Sequence, residues 1–220
     1  MGLMKKLVMK LSGTNEELEA LYQEKGLCRE YVEGRVALVK SPTIVQICMF
    51  ADMYTALDDY DKAEELMNTA KAKLTPLSSD DSHGHYYTVL LNLYLQTGRR
   101  TEALELLKEQ QEWLGLYWGA KSREMNAAAY YDTAATVLAT QGYEDAAFRF
   151  LEFETKLNDK YDPSGMMSKI SRLNLLYALH KPEADTTLQW ILEEIKSNEA
   201  ITDWKEDYFL KMTERAKKYA

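Results

Sequence analysis

One short segment holds several side chains that could bind a metal ion. Residues 80–85 read Asp-Asp-Ser-His-Gly-His, so two imidazoles and two carboxylates lie close together. Such a set suits a divalent cation, with His83, His85 and one carboxylate as ligands. No second Cys/His set completes the site, and a polar loop that caps the next helix explains the same residues. We expect the loop and no cofactor.

The remaining reactive side chains show no catalytic spacing. Adjacent carboxylates at Asp58-Asp59 and Glu193-Glu194 point about 100° apart on a helix, so neither pair is placed to share a proton. The sequence contains no G-x-S-x-G, no H-E-x-x-H and no phosphate-cradling glycine loop. Cys48 could act as a nucleophile only with a base brought close by the fold. We expect no enzymatic activity; an all-α enzyme with a site assembled between hairpins is the alternative.

Composition excludes several other classes. The 220 residues are 46% hydrophobic and 28% charged, which is typical of a folded protein. The formal net charge of -8 disfavours binding to nucleic acid, and no apolar run reaches membrane-spanning length. Lys10 interrupts the apolar start and no small-residue cleavage site follows it, so we expect no signal peptide. With two dispersed cysteines, we expect a cytoplasmic, bacterial protein with reduced thiols.

Helical periodicity dominates the chain, and no stretch alternates as a strand does. Thr14 and Glu17 have capping-box spacing, which predicts a helix from Asn15 to Gly26. A second helix should follow over 28–40 and stop at Ser41-Pro42, with the proline opening the next helix. Residues 15–40 therefore form a predicted N-terminal hairpin.

A helix–turn–helix pattern then recurs along the chain. It covers segments 44–75, 84–114 and 127–157, with turns at 58–60, 98–100 and 141–143. A weaker copy over 166–197 turns at His180-Lys181-Pro182. Alanines that open the second helices lie at intervals of 40, 43 and 38 residues: Ala63, Ala103, Ala146 and Ala184. We treat residues 1–220 as one repeat domain.

Two further segments are apolar. The connection Trp113–Gly119 includes Trp118 and is either local core or an exposed contact patch. The last segment, 201–219, is predicted to be a capping helix that covers the end of the array. Its apolar stripe consists of Ile201, Trp204, Tyr208 and Met212.

The residues of these hairpins resemble the tetratricopeptide repeat. Ala51 and Tyr54 in the first helix, and Ala63, Met67 and Ala70 in the second, match its small and large positions. The family period is about 34 residues, so this chain departs by extra residues between hairpins. The resemblance implies an all-α, right-handed α-solenoid of antiparallel helical hairpins with a C-terminal capping helix.

The resemblance also implies a binding face. In the family, the first helices of the hairpins line a concave surface, and the same offsets here select Cys48, Met49, Asp52, Thr55, His85, Thr88, Val89, Asn92, Gln96, Tyr131, Asp132, Ala135 and Leu138. This set contains two acids and neither lysine nor arginine. It lacks the basic clamp that an acidic C-terminal tail needs.

We therefore expect a non-catalytic scaffold that binds a protein or peptide of neutral to basic character. Nucleic acid and membranes are not expected partners. A purely structural oligomerisation module is the further alternative. Related arrays also sense small peptides, but those usually carry a helix-turn-helix DNA reader, which we do not find in this sequence.

Overall fold

The computed structural model describes residues 13–115, 121–158, 162, 164–198, 201 and 203–219, except for the side chains of 115, 121–126, 203–205 and 207–208. Within this part of the chain the regular structure is helical and contains no strand, so the all-α prediction is confirmed. The predictions for residues 1–11, for Trp118 and for the side chains of Trp204 and Tyr208 lie outside it. The chain divides into two compact units, Met1–Leu93 and Tyr94–Ala220.

The first unit is built from helices joined by short connections. Helix α1 contacts α2, α2 contacts α3, and α3 pairs with α4 as a hairpin. Helix α5 begins in this unit, and its last residues belong to the second. The helices are α1 (Glu16–Lys25), α2 (Arg29–Leu38), α3 (Ile44–Ala56), α4 (Tyr60–Lys73) and α5 (Asp80–Gln96).

The predicted helix starts in this unit need two corrections. Asn15, rather than Thr14, caps α1, because its side chain accepts the Leu18 N–H at 2.8 Å. Pro42 does not open α3: Thr43 is its N-cap and forms a capping box with Gln46. The sequence spacing thus predicted a helix start at both places, but in each case the N-cap is the next residue along the chain.

Helix α5 begins earlier than predicted. The Ser79 hydroxyl oxygen accepts the Ser82 N–H at 3.2 Å, which satisfies a free donor of the first turn. The helix therefore starts at Asp80 and includes the whole 80–85 cluster. The prediction of a polar loop at this cluster is wrong.

The second unit contains the five helices α6 to α10 and a terminal helix, α11. Helix α6 contacts α7, α7 pairs with α8, and α9 contacts α7, α8, α10 and α11. Leu173, Ile191 and Phe209 belong to a core shared by α9, α10 and α11. The helices are α6 (Arg100–Gly115), α7 (Lys121–Thr140), α8 (Glu144–Asn158), α9 (Met166–Ala178), α10 (Ala184–Ser197) and α11 (Asp203–Ala216), followed by a 3₁₀ turn (Lys217–Tyr219).

Helix α11 lies where a terminal cap was expected. It packs on α9 and α10, with Phe209 and Ala216 buried and Ile201 and Met212 packed against the same core. None of the helices in the described part of the chain is both long and apolar enough to cross a membrane.

Four hairpin turns share one backbone motif. The turn residue has a positive φ in each: Asp58, Gly98, Gly142 and His180. In each turn, the N–H of the following residue donates to the carbonyl five positions back, at 2.8–3.0 Å. This is the Schellman pattern, in which a left-handed residue ends the first helix and satisfies its last carbonyls. Asp58 and His180 show that the motif tolerates residues other than glycine.

Counting from the turn residue gives the true repeat register. The fifth residue after it is a fully buried alanine in three hairpins: Ala63, Ala103 and Ala147. The predicted marker Ala146 is therefore wrong by one position and is only half-buried. In the fourth hairpin the connection is longer, because α10 begins only at Ala184, which is itself buried.

Candidate functional site

The two histidines of the 80–85 cluster do not form a metal site. His83 is buried, and its Nε2 lies 3.1 Å from the Thr75 carbonyl oxygen. His85 is exposed, with Nδ1 2.8 Å from the Asp81 carbonyl oxygen. Among the described residues, no group of three His, Cys, Asp or Glu side chains could hold a metal ion. Helix geometry separates the imidazoles, because residues two apart lie on nearly opposite faces.

Cys48 and Thr55, which belong to the predicted binding face, are both fully buried. Cys48 is fully buried, and burial, with a smaller contribution from the Asp52 charge, raises the pKa of its thiol to about 12. It therefore remains a thiol at neutral pH, which opposes the nucleophile hypothesis. Thr55 is also fully buried and donates its hydroxyl to the Ala51 carbonyl at 2.9 Å.

In the first unit, the structure brings two predicted residues into contact. The Asn92 side-chain amide of α5 donates to Asp52 Oδ1 of α3 at 3.3 Å. Asp52 and Asn92 each stand six positions before the turn residue of their own hairpin. At this position, α3 and α5 thus lie within hydrogen-bonding distance of each other. Of the neighbouring predicted residues, Met49 is exposed, Thr88 and Gln96 are half-buried, and Val89 is buried.

In the second unit, the predicted binding-face residues of α7 are each one position away from those that correspond to the first unit. The cause is the same one-residue error of register that selected Ala146 instead of Ala147. The Tyr131 ring contacts Phe150 edge to face and Phe153 at a tilt, both on α8, with centroids 5.7 and 5.4 Å apart. Leu138 packs against a core that contains buried Ala135. These three predicted residues, Tyr131, Ala135 and Leu138, therefore contribute to packing.

Asp132 is the member of the set with the most unusual surroundings. It lies on α7 and retains partial exposure as a residue, but its Oδ1 atom is buried and has no hydrogen-bond partner among the described residues. Burial raises the pKa of its carboxyl group, and hydrogen bonding with Ser171 and Asn174 of α9 partly opposes that effect. An acceptor oxygen is thus withdrawn from water without a donor.

Glu154 of α8 is a second buried acid in the same place. It is 1% exposed, and Ser171 Oγ donates to its Oε1 at 3.0 Å, while the Asn158 amide also donates to Oε1. Burial, followed by the charge of Asp132, raises the pKa of Glu154 to about 7. A hydroxyl carries one proton, so Ser171 can donate to only one of the two carboxylates at a time.

Asp132, Glu154, Ser171 and Asn174 form what we call the acid pocket, where α7, α8 and α9 meet. Burial raises the pKa of both carboxyl groups, so Glu154 can hold a proton near neutral pH, and the pair can accept a cation or an N–H donor. Of these four residues, only Asp132 was predicted from the sequence as a site residue. Asn174 stands six positions before His180, as Asn92 stands before Gly98, so counting from the turn would have found it.

Glu154 had no such signal. It stands twelve positions after Gly142, where the first hairpin has buried Ala70 and the second has buried Gln110. An exposed acid on a charged helix and a buried acid look alike in sequence.

Comparison of the chain with protein-family models, curated proteins and solved structures gave no significant match.

Proposed function

We propose that this chain is a non-catalytic scaffold that binds a protein or peptide of neutral to basic character through the first helices of its hairpins. The proposal includes the right-handed solenoid that the tetratricopeptide resemblance implies, and a role in the bacterial cytoplasm. The shared turn motif and the alanine five residues later support the repeat. They are the features that let hairpins of this type stack on their neighbours.

The observation that carries the proposal is the Asp132 carboxylate. Its Oδ1 acceptor is buried without a donor among the described residues, on a first helix and beside the polar side chains of the next first helix. A buried acceptor that is left without a hydrogen bond costs about 1–3 kcal/mol. Asp132 is half-buried as a residue, so a partner that places an N–H or a cationic group at its exposed edge would offset part of that free energy.

Binding of charge-matched peptides tests the proposal. Two fluorescein-labelled nonapeptide pools should be identical except that one carries lysine where the other carries glutamate. We expect the lysine pool to bind more tightly in fluorescence anisotropy, and Asp132→Asn to weaken that binding about tenfold, which corresponds to ~1.4 kcal/mol.

The matched control is Asp145→Asn, which removes the same charge from an exposed position at the start of α8. It should leave the affinity within a factor of two. Equal binding of both pools, or equal loss in the two variants, would contradict the proposal.

Acid–base catalysis is the second candidate, because the acid pocket combines two carboxyl groups of raised pKa. The near-complete burial of Glu154 argues against it, since a substrate needs access to the group that transfers the proton. A hydrolase panel would favour catalysis if turnover fell at least a hundredfold in Glu154→Gln. An oligomerisation module would instead show self-association of the wild type in sedimentation velocity that does not depend on Asp132.

A further inference from the structure

A cleft opens on the second unit between α8 and α9, apart from the acid pocket. Its volume is about 310 Å³. Five residues of α8 and one of α9 line it: Phe148, Leu151, Glu152, Thr155, Lys156 and Arg172. Arg172 follows Ser171 directly in α9, so its side chain leaves the helix about 100° away from that of Ser171, which belongs to the acid pocket.

Arg172 breaks the repeat at this point. The residue eight positions before the turn is buried and apolar in the other three hairpins: Phe50, Leu90 and Ala134. In the fourth hairpin this position is Arg172, which is exposed. The position that carries a buried packing residue in those three hairpins therefore carries an exposed cation in the fourth. Departures from an otherwise consistent packing rule are expected at functional or strained positions.

The charges of the cleft favour an anion. Neither Arg172 nor Lys156 forms an ion pair with a described residue. Their contacts are with rings instead: the Arg172 guanidinium carbon lies 6.0 Å from the Phe148 centroid, and Lys156 Nζ lies 5.8 Å from the Phe153 centroid. Glu152 is the single acid of the lining, so the two cations outnumber it. The Thr155 hydroxyl already donates to the Leu151 carbonyl at 2.9 Å.

We propose that this cleft binds an acidic peptide segment, with a carboxylate placed between Arg172 and Lys156 and an adjacent apolar side chain against Phe148 and Leu151. The volume lies at the lower end of the range for ligand pockets, which suits one or two side chains rather than a cofactor. Arginine binds a carboxylate through two parallel N–H donors, so it supplies geometry as well as charge. The site is independent of the basic partner proposed for the first helices, and either proposal can fail alone.

The experiment is a charge-exchange cycle with a defined probe. The probe is an acetylated, amidated pentapeptide with adjacent leucine and glutamate, compared with the same peptide carrying glutamine. We expect the glutamate peptide to bind at least fivefold more tightly in an NMR titration, with the largest shifts at Thr155 and Arg172. Arg172→Met should remove this preference and leave binding of the glutamine peptide unchanged.

Two further variants sharpen the test. Glu152→Gln removes the acid of the lining and should tighten binding of the glutamate peptide at least twofold. Arg149→Met removes an exposed cation of α8 that does not line the cleft, and it should change nothing. Since an apolar residue is the rule at position 172, Arg172→Met should fold normally, and an unchanged thermal midpoint checks this. The proposal is overturned if both peptides bind equally to the wild type, or if Arg149→Met weakens binding as much as Arg172→Met.

Discussion

At the scale of single residues, Glu154 shows how one position can change its role along a repeat. Twelve positions after the turn, the packing residue is Ala70 in the first hairpin and Gln110 in the second, where both amide atoms lack a partner among the described residues. Burying a polar group without hydrogen bonds is costly. Glu154 offsets that cost with donors from Ser171 and Asn158 and by holding its proton more tightly.

Replacement of Glu154 by glutamine should remove a pH dependence of stability. The folded-state pKa is raised from 4.5 to about 7, so the stability that the bound proton contributes is fully present below pH 4.5 and is lost as the pH rises through 7. Relative to Glu154→Gln, the wild type should lose roughly 3 kcal/mol of unfolding free energy between pH 4.5 and 8, at about 1.4 kcal/mol per pKa unit.

Urea unfolding monitored by circular dichroism across this pH range measures the difference. Glu152→Gln, at an exposed position of the same helix, is the control and should follow the wild type. Parallel pH curves for the wild type and Glu154→Gln would show that Glu154 keeps an ordinary pKa.

At the scale of elements, each hairpin is organised around its left-handed turn residue. The turn fixes where the first helix ends, and the second helix then places a small side chain at the same distance in three hairpins. An alanine at a crossing lets two helix backbones approach to about 8–10 Å. The turn residue, rather than the alanine, is therefore the reliable marker of register in this chain.

Substitutions at two adjacent alanines of α8 test that register. Ala147→Leu should overpack the crossing and destabilise the protein by ~1–3 kcal/mol, because Ala147 is fully buried. Ala146→Leu should cost much less, since Ala146 is half-buried and has room on its open side. Chemical denaturation of both variants decides between the positions, and a larger loss for Ala146→Leu would restore the register inferred from sequence.

The turn residue of the fourth hairpin should be open to stabilisation. His180 is exposed and has φ 53°, a conformation that costs a side-chain-bearing residue about 1–2 kcal/mol. His180→Gly relieves this strain but adds flexibility to the unfolded chain, so we expect a net gain of roughly 0.5–1 kcal/mol.

The reverse change at Gly98 provides the comparison. An added Cβ at Gly98 meets no atom within 4 Å, so Gly98→Ala isolates the conformational cost and should lose roughly 1 kcal/mol. Thermal unfolding measures both variants. A lower midpoint for His180→Gly would mean that the imidazole contributes contacts that outweigh the backbone strain.

At the scale of the whole molecule, an all-α chain of net charge -8 forms two compact units. The second unit carries both candidate sites, the acid pocket and the cleft, and they favour opposite charges. A scaffold with such sites could hold two different partner segments. The charge-matched pools and the pentapeptide cycle examine the two sites separately.

The sequence by itself determined the helical class and the positions of the four turns. Hydrophobic periodicity and the glycines at 98 and 142 are local signals, and they predicted elements whose ends the structure moves by only a few residues in most cases. The family offsets that the tetratricopeptide resemblance implies also selected Asp52, Asn92 and Asp132 for the predicted binding face. The N-caps Asn15 and Ser79 were not predicted, because several adjacent residues in each segment are equally able to cap a helix.

Only the tertiary structure decided which polar side chains are buried and what faces them. Burial depends on neighbours that are distant in sequence: Ser171 of α9 bonds Glu154 of α8, seventeen residues away, and no local pattern encodes that contact. The same holds for the cleft, whose lining combines Arg172 of α9 with five residues of α8. A one-residue error of register in sequence moves a side chain by about 100° around a helix, and this is why the helical class could be read from the sequence but the two sites could not.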